Sequence, residues 1–232
     1  MESIYFRREF IPYHFLKKSG KGFTLVELIV VMAIIGVVML VVLTSQSSFN
    51  KTLTLANTAY DIALTIRYAE TYGISGRAAG AVTNAGYGVH FQSASPRSFT
   101  LFADKYPSVG QPGVCHALPA NDPSGPDAKP GNCAYDSSQG EVTVDYTLGN
   151  GITISKFCSY TSGWSCSDNG LTSLDIVFAR PNANPFISAN GSYSATIPVT
   201  AACLTVSSPQ GGSRFVSVSS SGQISANASS CP

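Results

Sequence analysis

An α+β fold, with one long N-terminal helix packed on an antiparallel, β-rich head, is what this sequence predicts. Three observations carry that expectation. Residues 23–43 form a 21-residue apolar run interrupted by one charge, Glu27. Apolar spacing of three and four continues from Phe49 to Arg67 without a proline. Beyond residue 76 the apolar period falls to two, and all six cysteines lie past residue 110.

A chain of 232 residues suits one domain of ordinary size plus an anchor or tail. Only 12% of it is charged, against about 25% in a typical soluble domain. With Ser, Thr, Gly, Asn and Pro plentiful after residue 75, this composition fits a loop-rich extracellular head better than a charged cytosolic one. The net charge of +1 is unevenly spread. Residues 1–22 hold five basic and two acidic side chains, while the remainder holds nine basic and eleven acidic ones. Positive charge therefore precedes the apolar run, and nothing after it forms a basic patch suited to nucleic acid.

As a helix rising about 1.5 Å per residue, residues 23–43 would cross the ~30 Å hydrocarbon core of a membrane. Basic residues before the run predict a single pass through the cytoplasmic (inner) membrane with the N-terminus in the cytoplasm. A cleaved secretory signal would have an apolar region of roughly 7–15 residues and a small-residue cleavage site after it. This run is longer, and no such site follows it. An uncleaved anchor leaves Glu27 unexplained, because a carboxylate costs about 2.5–3.5 kcal/mol at the centre of a membrane helix and less near its end. A cut between Gly22 and Phe23 would make Glu27 the fifth residue and give Phe23 a free amine. With amine and carboxylate on one rigid rod, the partner expected for Glu27 is the amine of a neighbouring subunit shifted along the membrane normal, where low dielectric strengthens the pairing.

The stretch "KGFTLVELIVVMAIIGVV" resembles the class III signal of type IV prepilins and pseudopilins. The resemblance implies a pilin-like fold and a structural role rather than an enzymatic one. It implies that a prepilin peptidase cuts after Gly22 and methylates the amine of Phe23, and that Glu27 promotes assembly. The implied partners are other pilin-like subunits in a helical polymer, and an inner-membrane assembly platform with its ATPase. The implied destination is a cell-surface filament or the periplasm. The organisation expected is a basic leader over 1–22, a membrane and fibre-core helix over 23–43, its amphipathic second half over 44–75, and an extracytoplasmic head over 76–232. The 22-residue leader, with aromatics at Tyr5, Phe6, Phe10, Tyr13 and Phe15, is longer than many in the family and leaves the start codon open.

Past the membrane run, Phe49, Leu53, Ala56, Tyr60, Ala63 and Arg67 predict a helix face laid on the head, with Ala59, Ile62 and Ile66 at adjacent positions. Gly73 and Gly76 act as stop signals, so a helix from Phe23 to about Tyr72 would be ~75 Å long. Tyr87/Val89/Phe91 and Phe99/Leu101/Ala103 alternate around "SASPR" and predict a hairpin. Asp104 to Gly140 is a long Pro/Gly/Asp segment without period. "EVTVDYTLGNGITISKFC" predicts a second hairpin, with Val142, Val144, Tyr146 and Leu148 on one face, a turn at Gly149–Asn150–Gly151, then Ile152 and Ile154. Leu174/Ile176/Phe178, Ser194–Val206, Arg214–Ser219 and Gln223–Ala226 complete roughly eight short strands. The order of these segments, with "YDIALTIRYAETYGISGR" and "LDIVFARPNANPFI", is similar to H-type pseudopilins and FimT-type minor pilins. That likeness implies a minor pilin or a pseudopilin of type II secretion, against the alternative of an ordinary position within a type IV pilus.

Cys115, Cys133, Cys158, Cys166, Cys203 and Cys231 predict disulfides in an oxidising compartment. No C-x-x-C occurs, so zinc-ribbon and thioredoxin-like chemistry find no support. Six cysteines allow 15 pairings; the expectation is sequential pairing, each bridge closing a short loop, with Trp164 displayed on the Cys158–Cys166 loop. Catalytic machinery is not visible. His14 would leave with the leader, His90 alternates with Val89 and Phe91 as a solvent-facing strand residue would, and His116 adjoins a cysteine. No G-x-S-x-G, H-E-x-x-H, P-loop or dinucleotide fingerprint occurs. Asp122, Asp127 and Asp136 lack EF-hand spacing and read as turn formers, so no metal or cofactor is expected. The competing class is a membrane-anchored extracytoplasmic binding domain that never polymerises.

Overall fold

The computed structural model describes residues 22–83, 85–105, 131–180, 183–194 and 196–231, the side chains of 44–50 excepted. Contacts divide the chain into two units, Met1–Gln46 and Ser47–Pro232, and one helix, α1 (Leu25–Ser75), contributes to both. In the first unit α1 begins after Thr24, whose Oγ1 accepts the Glu27 N–H at 3.2 Å while its carbonyl accepts the Leu28 N–H at 3.2 Å. Thr24 is thus an N-cap residue, satisfying a donor that the first helical turn would otherwise leave unpaired. Leu25–Leu43 has a mean hydropathy of 3.1, and none of it is buried within the chain.

In the second unit α1 buries Leu55, Ala59, Ile62, Ala63, Ile66 and Ala69. The buried arc follows the adjacent set Ala59, Ile62 and Ile66 rather than the expected stripe. Leu53 and Tyr60 are exposed, and Arg67 is exposed as well. Alanines let the helix settle close to the sheets, whereas the phenol of Tyr60 and the guanidinium of Arg67 need polar surroundings at the rim. Arg67 finds them by donating from Nη2 to the Ile224 carbonyl at 3.1 Å. Phe49, the first residue of the expected stripe, lies outside the described side chains.

Of the two glycines read as stop signals, one ends the helix. Gly76 has φ +64°, and the Arg77 and Gly76 N–H groups donate to the carbonyls of Tyr72 (3.2 Å) and Gly73 (3.3 Å). These two bonds form a Schellman motif, which glycine favours because it adopts the left-handed conformation without a Cβ penalty. Gly73 lies inside the helix for a different reason. A Cβ there would sit 2.1 Å from the carbonyl oxygen of Phe178, so at Gly73 helix and sheet approach too closely for a side chain.

Among the described residues, ten strands form two five-stranded sheets. The first has the order β3 (Val142–Thr147), β2 (Ser98–Asp104), β1 (Gly86–Gln92), β6 (Ser173–Phe178), β7 (Phe186–Ala189). The second has the order β10 (Ile224–Ser225), β9 (Ser213–Ser219), β8 (Ala201–Ser207), β4 (Thr153–Tyr160), β5 (Trp164–Cys166). All pairings are antiparallel. Alternation decides the faces: Tyr87, Val89 and Phe91 of β1 join Leu174, Ile176 and Phe178 of β6, Ala202, Leu204 and Val206 of β8, and the helix in one apolar core. The expected α+β architecture, helix plus antiparallel head, is the one observed.

The β1–β2 hairpin around "SASPR" is present, with Phe91 opposite Phe99. The second expected hairpin is not. Asn150 (φ +55°) and Gly151 (φ +70°) do make a tight turn, closed by the Ile152 N–H on the Gly149 carbonyl at 3.0 Å. Yet β3 pairs with β2, and β4 pairs with β8 and β5 in the other sheet. The tip of the β1–β2 hairpin separates them. The Arg97 carbonyl accepts the Leu148 N–H and the Pro96 carbonyl accepts the Ile154 N–H, both at 2.8 Å. These bonds occupy positions that β3 and β4 would have offered each other. Among the described residues, ten strands replace the roughly eight expected: the short β5 and β7 are the additional ones, and β10 falls within the expected Gln223–Ala226.

Replacing Gly73 with alanine tests the helix-to-sheet contact. The clash is with backbone, which cannot turn away, so Gly73→Ala should destabilise the head by about 1–3 kcal/mol, read as a lowered midpoint in chemical unfolding. Gly22→Ala, where an added Cβ meets nothing within 4 Å, should leave that midpoint unchanged.

Candidate functional site

At its start, the chain presents a small set of polar groups on an otherwise apolar rod. Gly22 and Phe23 precede α1, and the Phe23 side chain is 79% exposed. Thr24 is the cap, and Glu27 is the acidic residue of the first turn. Its third helical position completes the S/T-x-x-E pattern of a capping box, in which the acidic side chain can reach back to the amide of the cap residue. A carboxylate here also faces the positive end of the helix dipole. Both effects lower the cost of holding a charge beside hydrocarbon. The structure corrects one premise as well: Phe23 is not part of the helical rod, so its backbone nitrogen is not held at a fixed helical distance from Glu27.

The cysteines tie the head at two described places. Cys158 is bonded to Cys166, directly opposite it in the β4–β5 ladder, with 4.0 Å between their Cα atoms. Cys203 is bonded to Cys231, fastening the tail to β8. Cys133 is disulfide-bonded, and Cys115 lies outside the described residues, as do His14, His116, Asp122 and Asp127. Trp164 packs on Tyr160, its cross-strand neighbour, with ring centroids 5.1 Å apart, and both rings remain partly exposed.

On the outer face of the first sheet lies a second polar arrangement. Residues 131–141 run across this face as a strap, and three buried carboxyls hold its backbone. Asp104 accepts the N–H groups of Asn132 (3.0 Å) and Cys133 (2.8 Å). Glu141 accepts those of Asp136 (2.8 Å) and Lys105 (2.7 Å). Asp175 accepts that of Tyr135. The Ser188 hydroxyl adds a bond to the Cys133 carbonyl. Burial raises the Asp104 carboxyl well above its ordinary value, and nearby Glu141 raises it further against the pull of the two amides. Burial also raises Asp175, opposed by its contact with His90.

His90 is not the solvent-facing residue that alternation alone predicts. Its side chain is 13% exposed, and Nδ1 lies 2.6 Å from Oδ1 of Asp175, which is 1% exposed. The two residues are direct cross-strand partners in the β1–β6 ladder. The Tyr135 ring covers the imidazole at 4.6 Å. Among the described residues, no group of three or more His, Cys, Asp or Glu side chains is placed to hold a metal ion. Asp136, read from the sequence as a turn former, accepts an amide hydrogen from Asn132 Nδ2 at 2.9 Å.

With this geometry in place, comparison with known proteins separates the two arrangements. The family model of the prokaryotic N-terminal methylation motif matches residues 17–43. The match covers Lys17, Lys18 and Lys21 before Gly22, the cap, Glu27 and the whole apolar stretch. The motif, together with the apolar N-terminal helix, supports a type IV pilin-like protein. The pilin-like chain is of the kind processed by a prepilin peptidase and polymerised with pilin subunits, and its apolar helix fits membrane anchoring followed by a surface or periplasmic location. No curated protein and no solved structure matches it.

Sequence reasoning missed Asp175, Asp104 and Glu141. Asp175 alternates with Leu174 and Ile176 as an outward-facing residue would; the one usable signal was its neighbour on that face, the apolar Val177, which fits a covered face better than a solvated one. The other two lie at the edges of the segment without period. The capping box was legible as Thr24-x-x-Glu27.

His90→Leu tests the buried pair. Removing one partner of a buried hydrogen-bonded pair leaves the other unsatisfied, at a cost of about 1–3 kcal/mol and more where that group is charged. Asp175 has a raised folded-state value, so the stability it contributes is full below its unfolded value and is lost as pH rises through the folded one. The deficit of His90→Leu against the unsubstituted protein should therefore be large at about pH 7.5 and shrink at about pH 4.5. Equal deficits in thermal unfolding at both pH values would contradict the assignment.

Proposed function

We propose that this chain is a structural subunit of a type IV filament, cut between Gly22 and Phe23, methylated on Phe23 and polymerised through its N-terminal helix. The observation that carries the reading is the pairing of an unburied apolar helix with one carboxylate in its first turn, both within the matched N-terminal methylation motif. A helix with nothing packed on it needs lipid before assembly and other helices afterwards. The cut exposes an amine at the same end of the rod as Glu27. In a filament, the amine of one subunit meets Glu27 of the next, and at 4 Å with an effective dielectric near 20 the attraction is about 4 kcal/mol. That exceeds the partial desolvation of a carboxylate at a helix end, so assembly is favoured only after the leader has gone.

A second reading concerns the place in the filament. The likeness of the segment order to H-type pseudopilins and FimT-type minor pilins supports a minor subunit, at the tip of a pilus or in a type II secretion system. The intact Glu27 supports an ordinary position within the fibre. Abundance separates them: a major pilin dominates sheared surface material, and a minor one is scarce in it.

Two measurements test the proposal. Intact mass of the mature protein should correspond to a chain starting at methylated Phe23 and lighter by six hydrogens, the cysteines being six in number and all oxidised. A mass that retains residues 1–22 would end the reading, and a membrane-anchored protein that never polymerises would take its place. Glu27→Gln separates charge from cap, because glutamine serves equally in a capping box. This variant should be processed and inserted normally, yet yield few filaments, as should Glu27→Val. Wild-type filament yield from Glu27→Gln would assign Glu27 to the cap alone.

A further inference from the structure

The strap and the outer face of the first sheet enclose a cavity of about 430 Å³. It lies within the 300–1,000 Å³ span of small-molecule sites and is far larger than the ~30 Å³ share of one water. Its lining comes from three adjacent strands and from the strap. His90 and Gln92 stand on β1, Thr100 on β2 and Ser173 on β6, while Tyr135 and Ser137 close it from the strap. Register brings these together, since His90 lies opposite Thr100 on one side and Gln92 lies opposite Ser173 on the other.

The chemistry of the lining is selective. Of the ten described side chains that line it, seven carry hydroxyls, one an amide and one an imidazole; none of these is Asp, Glu, Lys or Arg. These groups offer no ionic partner to a strongly charged ligand, and they would lose water for nothing against an apolar one. Two of the hydroxyls are already oriented. Thr100 donates to Asp145 at 2.6 Å and Thr172 to Asn190 at 2.9 Å, which leaves their oxygens as acceptors. His90 is the one rigid polar group. Asp175 binds its Nδ1, and Nε2 has no hydrogen-bond partner among the described residues. His90 lines the cavity, and a buried aspartate fixing one of its imidazole nitrogens is more than a surface histidine needs. The Tyr135 ring supplies a flat apolar surface beside these groups.

We propose that this cavity binds a neutral carbohydrate ring. A pyranose combines an apolar C–H face, suited to the tyrosine ring, with equatorial hydroxyls that both donate and accept, suited to the Thr, Ser, Gln92 and His90 groups around it. The site is built from the head alone, so it stands or falls independently of the filament reading. A free sugar and the terminal residue of a surface glycan share this chemistry.

The test uses the full chain in a sugar-free detergent, labelled at histidine for NMR. Glucose, galactose, N-acetylglucosamine, lactose and their methyl glycosides are titrated, with glucuronate as the charged comparison. At least one neutral sugar should shift the His90 imidazole signals saturably while those of His116 stay in place. Gln92→Trp, at an exposed position on the cavity wall, should abolish that shift with the thermal midpoint unchanged, and Gln92→Ala should weaken binding about tenfold, the worth of one good hydrogen bond. Methyl glycosides binding as well as reducing sugars would support a glycan terminus, and reducing sugars alone a free sugar. The proposal is overturned if no neutral sugar moves His90, if Gln92→Trp binds as before, or if glucuronate binds more tightly than glucose.

Discussion

The contact on which the head depends is the approach of α1 to β6, where the backbone at Gly73 comes too close to the Phe178 carbonyl for any side chain to intervene. Close packing of this kind has to be prepared along the whole interface. Ala59, Ala63 and Ala69 keep the helix low over the sheets, and Leu55, Ile62 and Ile66 fill the space between them. The Schellman turn at Gly76 then redirects the chain at once, and Ala85 and Tyr87 re-enter the same core. Both sheets contribute inner faces to that core. A displacement of the helix would therefore be felt by every strand that faces it, because protein interiors transmit strain rather than absorb it.

The two units of this chain solve opposite solvent problems with one helix. Leu25–Leu43 leaves all its apolar surface uncovered, which is tolerable only in lipid or among other helices. From Leu55 onward the helix buries one apolar arc, while Tyr60, Leu64 and Tyr68 stay outward. The capped first turn completes the apolar half, since unsatisfied amides beside Glu27 would be costly in hydrocarbon. A motif read only as a processing signal thus also performs an elementary task of helix termination.

What the sequence disclosed depended on whether a feature is local. Helix, membrane run, turn residues and strand alternation are properties of neighbours in sequence, and Tyr87/Val89/Phe91 or Leu174/Ile176/Phe178 could be assigned a face directly. Pairing is not local. Gly149–Asn150–Gly151 has the chemistry of a hairpin turn and makes that turn, but Arg97 and Pro96, brought in by another hairpin, take the bonds on either side. His90 and Asp175 are 85 positions apart and meet only because β1 and β6 align in a particular register. The strap is harder still, since its amides are held by carboxyls from β2, from β6 and from its own far end.

One row of the second sheet has a consequence for how the chain becomes oxidised. Cys158 has Cys166 opposite it on β5 and Cys203 opposite it on β8. Once the sheet forms, a single thiol has two neighbours of equal standing, and geometry alone does not choose. Loop entropy does. Cys166 is eight positions away, while closing onto Cys203 would span a loop more than five times longer, at an added cost of about 1.5 kcal/mol. The local bridge is therefore favoured to close first, before β8 is docked, which keeps Cys203 available for the tail. A chain oxidised only after complete folding would face a choice that one oxidised during export is spared.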